Sequence, residues 1–272
     1  MIGKRKPATP EMAISEHELN SMTGELEMLH KETFPGVAKM LEEFSANLSH
    51  LITKESTGRR GFLAGLGGLA VVGGLTACGS SSKATSPSSA SPSASSSVSS
   101  AAASKYTGDL KVVALAAALE NLAVTAYKGA LTMAGQNKLG TVPPAIATFV
   151  TTAMGQHADH AQAWNGVLSK ANLPTVTGAP LTITAGQVAM LNAATSVPDV
   201  AKLALSLENA AAATYTFAAA NVSDAGGIMT AATIQPVETM HAAILNFVLG
   251  QYPVPLSFIG IDAAVMPSAF TG

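Results

Sequence analysis

Cysteine is almost absent from this chain, with one among 272 residues, Cys78. No internal disulfide can form, so the fold has to rest on packing. Charge is also sparse, at 12% of residues with a net −2, and no basic stripe or RNA-binding motif points to nucleic acid. Residues 61–77 carry no charge, but this run of about 17 residues is at the bottom of the membrane-spanning range, and its glycines weaken it further. The charge that is present gathers in residues 1–60. Residues 79–104 are nearly all Ser, Ala and Pro, and residues 105–272 are rich in Ala, Leu and Val. That last block is long enough to bury a sizeable core.

The boundary between the charged and apolar parts is informative. Thr57-Gly58-Arg59-Arg60-Gly61-Phe62-Leu63 sets two arginines before the apolar run, which ends in Leu75-Thr76-Ala77-Cys78. A charged start, an apolar stretch and small residues before a cut are the parts of a signal peptide. The segment 57–78 resembles a twin-arginine signal joined to a lipoprotein box. The resemblance implies use of the twin-arginine translocation machinery, lipidation of Cys78 and anchoring to the outer face of the cell membrane. An uncleaved N-terminal anchor is the rival reading, and both give a tethered protein, because two acyl chains hold durably where one does not. The tract 79–104 reads as a flexible stalk. The twin-arginine route carries folded proteins, so a metal could be inserted before export.

Residues 1–56 form a charged extension, unusually long for the preface to a signal. Ser15-x-x-Glu18 reads as a capping box, followed by a charged helix expected to break near Pro35. Glu27-x-x-His30 has the spacing of a metal-ligand pair, but its segment is charged on most faces and reads as coincidence. Translation could also begin at Met40.

From residue 109 the pattern is helical, with apolar residues at i, i+3, i+4 and i+7. One helix runs from a cap at Asp109 to about residue 134, and a second from Pro144 to about Ala171. A crossing segment, 174–198, includes a short helix near 185–194. A third helix runs from a cap at Asp199 to Asn221, and a fourth from Asp224 to about Gly250. The proline-rich tail after Tyr252 is expected to be irregular and packed over the helices.

The two halves repeat. Leu119-Glu120-Asn121 with Tyr127 matches Leu207-Glu208-Asn209 with Tyr215. His157-x-x-His160 with Asn165 and Leu168 matches Glu238-x-x-His241 with Asn246 and Leu249. A duplicated hairpin with a long middle crossing predicts an all-α fold, an antiparallel four-helix bundle with pseudo-two-fold symmetry. Residues 105–272 contain three glutamates, Glu120, Glu208 and Glu238, and three histidines, His157, His160 and His241, and all six lie in these motifs. Side chains at i and i+3 share a helix face. The surrounding sequence is apolar, so these faces point inward, where unpaired carboxylates are costly and need partners.

The pattern resembles the ferritin-like family, in which one Glu from each of two helices and Glu-x-x-His from each of the other two hold two irons. The resemblance covers residues 109–250 and is nearest to secreted members with twin-arginine signals. It implies metal ligands at Glu120, His160, Glu208, Glu238 and His241, with Tyr127 and Tyr215 beside them. His157 departs from it, standing where a carboxylate is expected. The site then loses a negative charge, which favours either an altered di-iron site or a single ion of iron, zinc or manganese on mixed ligands. The rival reading is six groups that hydrogen-bond one another with no metal. Tyr127 and Tyr215 are expected to satisfy nearby glutamates, Trp164 to be core, and Asn121 and Asn209 to lie at an interface or surface. Asp159 should point away, and Gly155 and Pro236, each two residues before a ligand, either loosen the site or are harmless.

Two functions follow from the resemblance. One is a ferroxidase-like or oxidant-consuming redox protein outside the membrane. The other is a non-catalytic module that binds metal or a partner. Storage inside a closed shell fits poorly with a lipidated stalk, and the sequence fixes no oligomeric state.

Overall fold

The computed structural model describes residues 15–55, with side chains to Leu48, and residues 105–272. The arginine pair, the apolar run, Cys78 and the stalk lie outside the described residues. Within them there is no strand, only an isolated bridge between Leu181 and Phe270. The helices are α1 (Glu16–Glu55), α2 (Asp109–Gly135), α3 (Pro144–Lys170), α4 (Thr184–Ala193), α5 (Val197–Asn221) and α6 (Ala225–Val248). A 3-10 turn, Pro267–Ala269, follows. Residues 15–50 cluster with residues 105–272 in one compact unit.

Capping chemistry sets most of the boundaries. Asp224 accepts from the N–H groups of Gly226 and Gly227 and starts α6. Asp199 is not the cap of α5: Ser196 is, accepting from Asp199 N–H, while the Asp199 carboxylate returns to Thr195 N–H and the Ser196 hydroxyl. The result is a capping box with a shorter acid. Asp109 is likewise the first residue of α2, after Gly108. Its carboxylate accepts instead from Ser223 and Asp224 N–H, tying the α5–α6 turn to the start of α2. At the C-termini the chain turns at Asn137, Asn172 and Gly250, all with positive φ. In each case the next N–H reaches back five residues to a helical carbonyl, so α2, α3 and α6 end alike.

Packing joins α2 to α3 and α5 to α6, with α2 also touching α4 and α5. The alanines of α2 and α5 let backbones approach closely, and Ala114, Ala117 and Ala118 are fully buried. By length and composition α2 could cross a membrane, yet two-thirds of its most apolar window, 67%, is buried inside the protein. Burial to that extent is what a core helix has.

Two further expectations fail here. First, α1 does not break at Pro35. The missing N–H and ring clash weaken one turn, but buried anchors on both sides keep the helix continuous across it: Leu19, Leu26 and His30 before, Val37, Leu41 and Phe44 after. Ser15 and Glu18 do form the capping box. At Gly226 an added Cβ would lie 2.7 Å from the Met40 carbonyl, so α1 passes against the start of α6 where only glycine fits. Second, the tail is packed only in its last part. Val265 N–H donates to the Thr214 hydroxyl and Thr271 N–H to the Pro180 carbonyl, while Tyr252, Leu256 and Phe258 are exposed.

Candidate metal centre

Four helices deliver the six polar side chains to one place. Glu120 comes from α2, His157 and His160 from α3, Glu208 from α5, Glu238 and His241 from α6, and none is more than 2% exposed. They form two overlapping groups with ligand atoms within 4.8 Å of one another. One is Glu120, His157, His160 and Glu238; the other is His157, Glu208, Glu238 and His241. Glu238 and His157 belong to both. The helical i, i+3 spacing does this, since each pair spans from one group to the next.

The two shared residues have opposite surroundings. His157 lies 2.7 Å from Glu120 through Nδ1 and 3.1 Å from Glu208 through Nε2. An imidazole with a carboxylate on each nitrogen donates from both, so it is a cation. Burial opposes that charge, but Glu208 and Glu238 raise the His157 pKa well above its ordinary value. Burial likewise opposes the charge on His160, and Glu120 and Glu238 still lift it to about 9. His241 is raised by Glu208, again against burial. Burial would push Glu120 up, yet His160 and His157 hold it down at about 2, and Glu208 is lowered well below its usual value against the same opposition.

Glu238 has charged neighbours but no hydrogen bond. It is fully buried, and neither carboxylate oxygen has a hydrogen-bond donor, as is also true of His160 Nδ1. Its nearest imidazole nitrogens are His160 Nδ1 at 3.2 Å, His241 Nδ1 at 3.6 Å and His157 Nδ1 at 3.7 Å. A buried carboxylate without donors is costly, and a bound ion is one of the few physical explanations. Two carboxylates and two imidazoles in each group suit a borderline divalent ion such as Fe²⁺, Zn²⁺ or Mn²⁺. The donor set fits a metal.

The tyrosines reach across the halves. Tyr127 on α2 donates to Glu208 on α5, and Tyr215 on α5 donates to Glu120 on α2, which makes α2 and α5 antiparallel. Burial, and then the carboxylates, raise both phenols well above their ordinary pKa. Trp164, expected to be plain core, donates to the Tyr215 hydroxyl at 2.8 Å and so extends the network. Asn121 holds the crossing segment through the Val176 carbonyl, while Asn209 is at the surface. Gly155 and Pro236 are exposed on unbroken helices, so neither opens space at the centre.

Sequence reasoning missed an outer layer from α1. Gln156 on α3, 1% exposed, lies with Oε1 at 2.9 Å from His241 Nε2 and donates from Nε2 to Glu27 at 3.2 Å. His30 is 3.3 Å from Asp159, and its ring is 5.3 Å from that of His160. Glu27 and His30 are in neither ligand group, so the Glu27-x-x-His30 spacing is not a ligand pair. It does place both residues on the one face of α1 that meets α3. The alternation of Leu19, Leu26, Val37, Leu41 and Phe44 along α1 was the available signal.

A family model described as a ferritin-like domain matches residues 108–251, just over half of the chain. No curated protein and no solved structure matches it.

Proposed function

This chain belongs to the ferritin-like family, and from that premise we propose that it is an exported, membrane-anchored metal protein. In this reading α2, α3, α5 and α6 are an antiparallel four-helix bundle of two repeated hairpins, with the crossover between them. Glu120, His157, His160, Glu208, Glu238 and His241 hold the metal. The observation that carries the reading is Glu238, fully buried, without a donor on either oxygen and common to both ligand groups.

Iron fits best in this proposal, with zinc or manganese as alternatives. Bound iron would supply one-electron chemistry toward ferrous ions or oxidants. The chain's own part is to orient and to exclude water. Tyr127 and Tyr215 fix Glu208 and Glu120 in place, Trp164 fixes Tyr215, and the apolar surroundings keep the centre dry. Raised phenol pKa values keep both tyrosines protonated as donors.

Export and anchoring rest on Arg59-Arg60 through Cys78. The cut before Cys78 would also remove α1, so α1 has its role while the folded chain is still inside. A Cys78→Ala variant should leave the membrane fraction; retention there would refute the lipid anchor. For the centre, elemental analysis of the purified full-length chain should find close to two metal ions, lost in Glu120→Ala and in His241→Ala. Oxygen uptake on adding Fe²⁺ then separates a redox role from binding alone.

A second reading has its own observation. Cationic His157 between Glu120 and Glu208 is a self-satisfying pair of contacts, as a degenerate, metal-free scaffold would have. A chain purified without metal from iron- and zinc-replete cells would select it.

A further inference from the structure

We propose that the seam between α1 and α3 is the path by which a divalent cation reaches the buried centre, an inference that rests on the metal reading above. With all six side chains no more than 2% exposed, an ion must cross some wall. The wall beside Tyr127 is apolar: a cavity of about 40 Å³ lined by residues such as Ala130, Ile146, Phe149, Val150, Ala204 and Leu245. An ion leaving water there would meet no ligand and would bear several kcal/mol of desolvation.

The α1–α3 seam differs in kind. Glu27, with its side chain 35% exposed, is hydrogen-bonded to buried Gln156, whose carbonyl oxygen lies against His241. One turn along α3, Asp159, 52% exposed, is paired with buried His30, which lies against the ring of His160. Each arm runs from a surface carboxylate through one buried polar side chain to one imidazole of the centre. The arms end on different ligand groups, His241 in one and His160 in the other. The outer carboxylate already holds a cation, since the Lys31 ammonium lies 2.8 Å from Glu27 Oε1. Phe34 stacks on His30 at 4.9 Å and lies 6.0 Å from the His160 ring, which fixes His30 in the seam.

The path predicts rates, not final occupancy. Co²⁺ uptake by the metal-free full-length chain would be followed by the absorbance of bound Co²⁺ after rapid mixing, with bound metal counted at equilibrium. Glu27→Gln and Asp159→Asn should each slow uptake by on the order of threefold to tenfold, as loss of an attracting charge does, with the final count unchanged. Lys31→Gln removes a competing ammonium and should speed uptake by about twofold. Glu27→Gln and Lys31→Gln break the same ion pair on α1. If α1 is only a cover, both move the rate in the same direction, and that result would overturn the path. So would unchanged rates in all three variants. A lower final count in Glu27→Gln would make Glu27 a ligand and reject it as a relay. Absence of bound Co²⁺ in the unaltered chain defeats the metal reading and the path together, whereas normal binding at unchanged rates defeats the path alone.

Discussion

The hairpins α2–α3 and α5–α6 carry the same motifs, yet they contribute unequally to the centre. At matching positions, the first supplies His157 and the second Glu238. His157 is held between two carboxylates and is fully satisfied, while Glu238 has no donor at all. The first half also has a covering helix at Gln156 and His160, and its Trp164 supports Tyr215 in the other half. A single exchange of carboxylate for imidazole thus gives matching positions opposite fates: His157 is satisfied from both sides, and Glu238 has no donor.

The sharpest way to break this comparison is His157→Glu, which makes the halves alike. A fourth carboxylate enters a buried cluster and a counter-cation leaves, so the metal-free chain should lose about 3–5 kcal/mol. Urea unfolding should show that loss, and added Mn²⁺ should restore it. A variant equally stable with and without Mn²⁺ would contradict the charge account.

Next come the alanine variants of two glutamates. Glu120→Ala strands His157 and Tyr215, and should cost the metal-free protein about 3 kcal/mol. Glu238→Ala removes a carboxylate that no donor satisfies but also a counter-charge of His157 and His160, and should cost less, about 1–2 kcal/mol. Chemical denaturation with chelator present compares them directly, and equal losses would mean that the halves are balanced after all.

The tyrosines give a smaller contrast. Tyr127→Phe loses one hydrogen bond to a carboxylate, about 1.5 kcal/mol. Tyr215→Phe loses the same kind of bond and also strands the Trp164 N–H, so its cost should be about 1 kcal/mol larger. Thermal melts of the two variants check the order.

The gentlest test is pH. Glu120 has its carboxyl lowered from 4.5 to about 2, so its contribution is complete above pH 4.5 and lost as pH falls through 2. His160 is raised from 6.5 to about 9, so its contribution is complete below pH 6.5 and lost as pH rises through 9. Metal-free protein should therefore melt highest between pH 4.5 and 6.5. Metal ligation requires neutral imidazoles, so bound metal should shift that optimum upward.

Much of the fold was legible because helix signals are local. Asp224 and Pro144 at helix starts and the apolar spacing placed α2, α3, α5 and α6 within a few residues. Asp109 and Asp199 were misjudged as caps because a carboxylate near a helix start can serve its own first turn or another segment. Only the neighbouring chain decides which. The ligand candidates were legible for a different reason: six titratable groups in an apolar block cannot be there by default. The two tyrosines were placed near carboxylates by their seven-residue spacing, but not to the opposite half.

Composition and spacing alone made this protein helical, gave residues 57–78 their resemblance to an export signal, and grouped Glu120, His157, His160, Glu208, Glu238 and His241. Those are properties of spacing and composition, which a chain carries before it folds. It took the packing of helices to leave Glu238 without a donor and His157 with two acceptors, to bring Tyr127 to Glu208, and to join α1 to α3 through Glu27, Gln156, His30 and Asp159. Each depends on the distance between side chains from different helices. Burial then fixes how strongly those few ångströms act on charge.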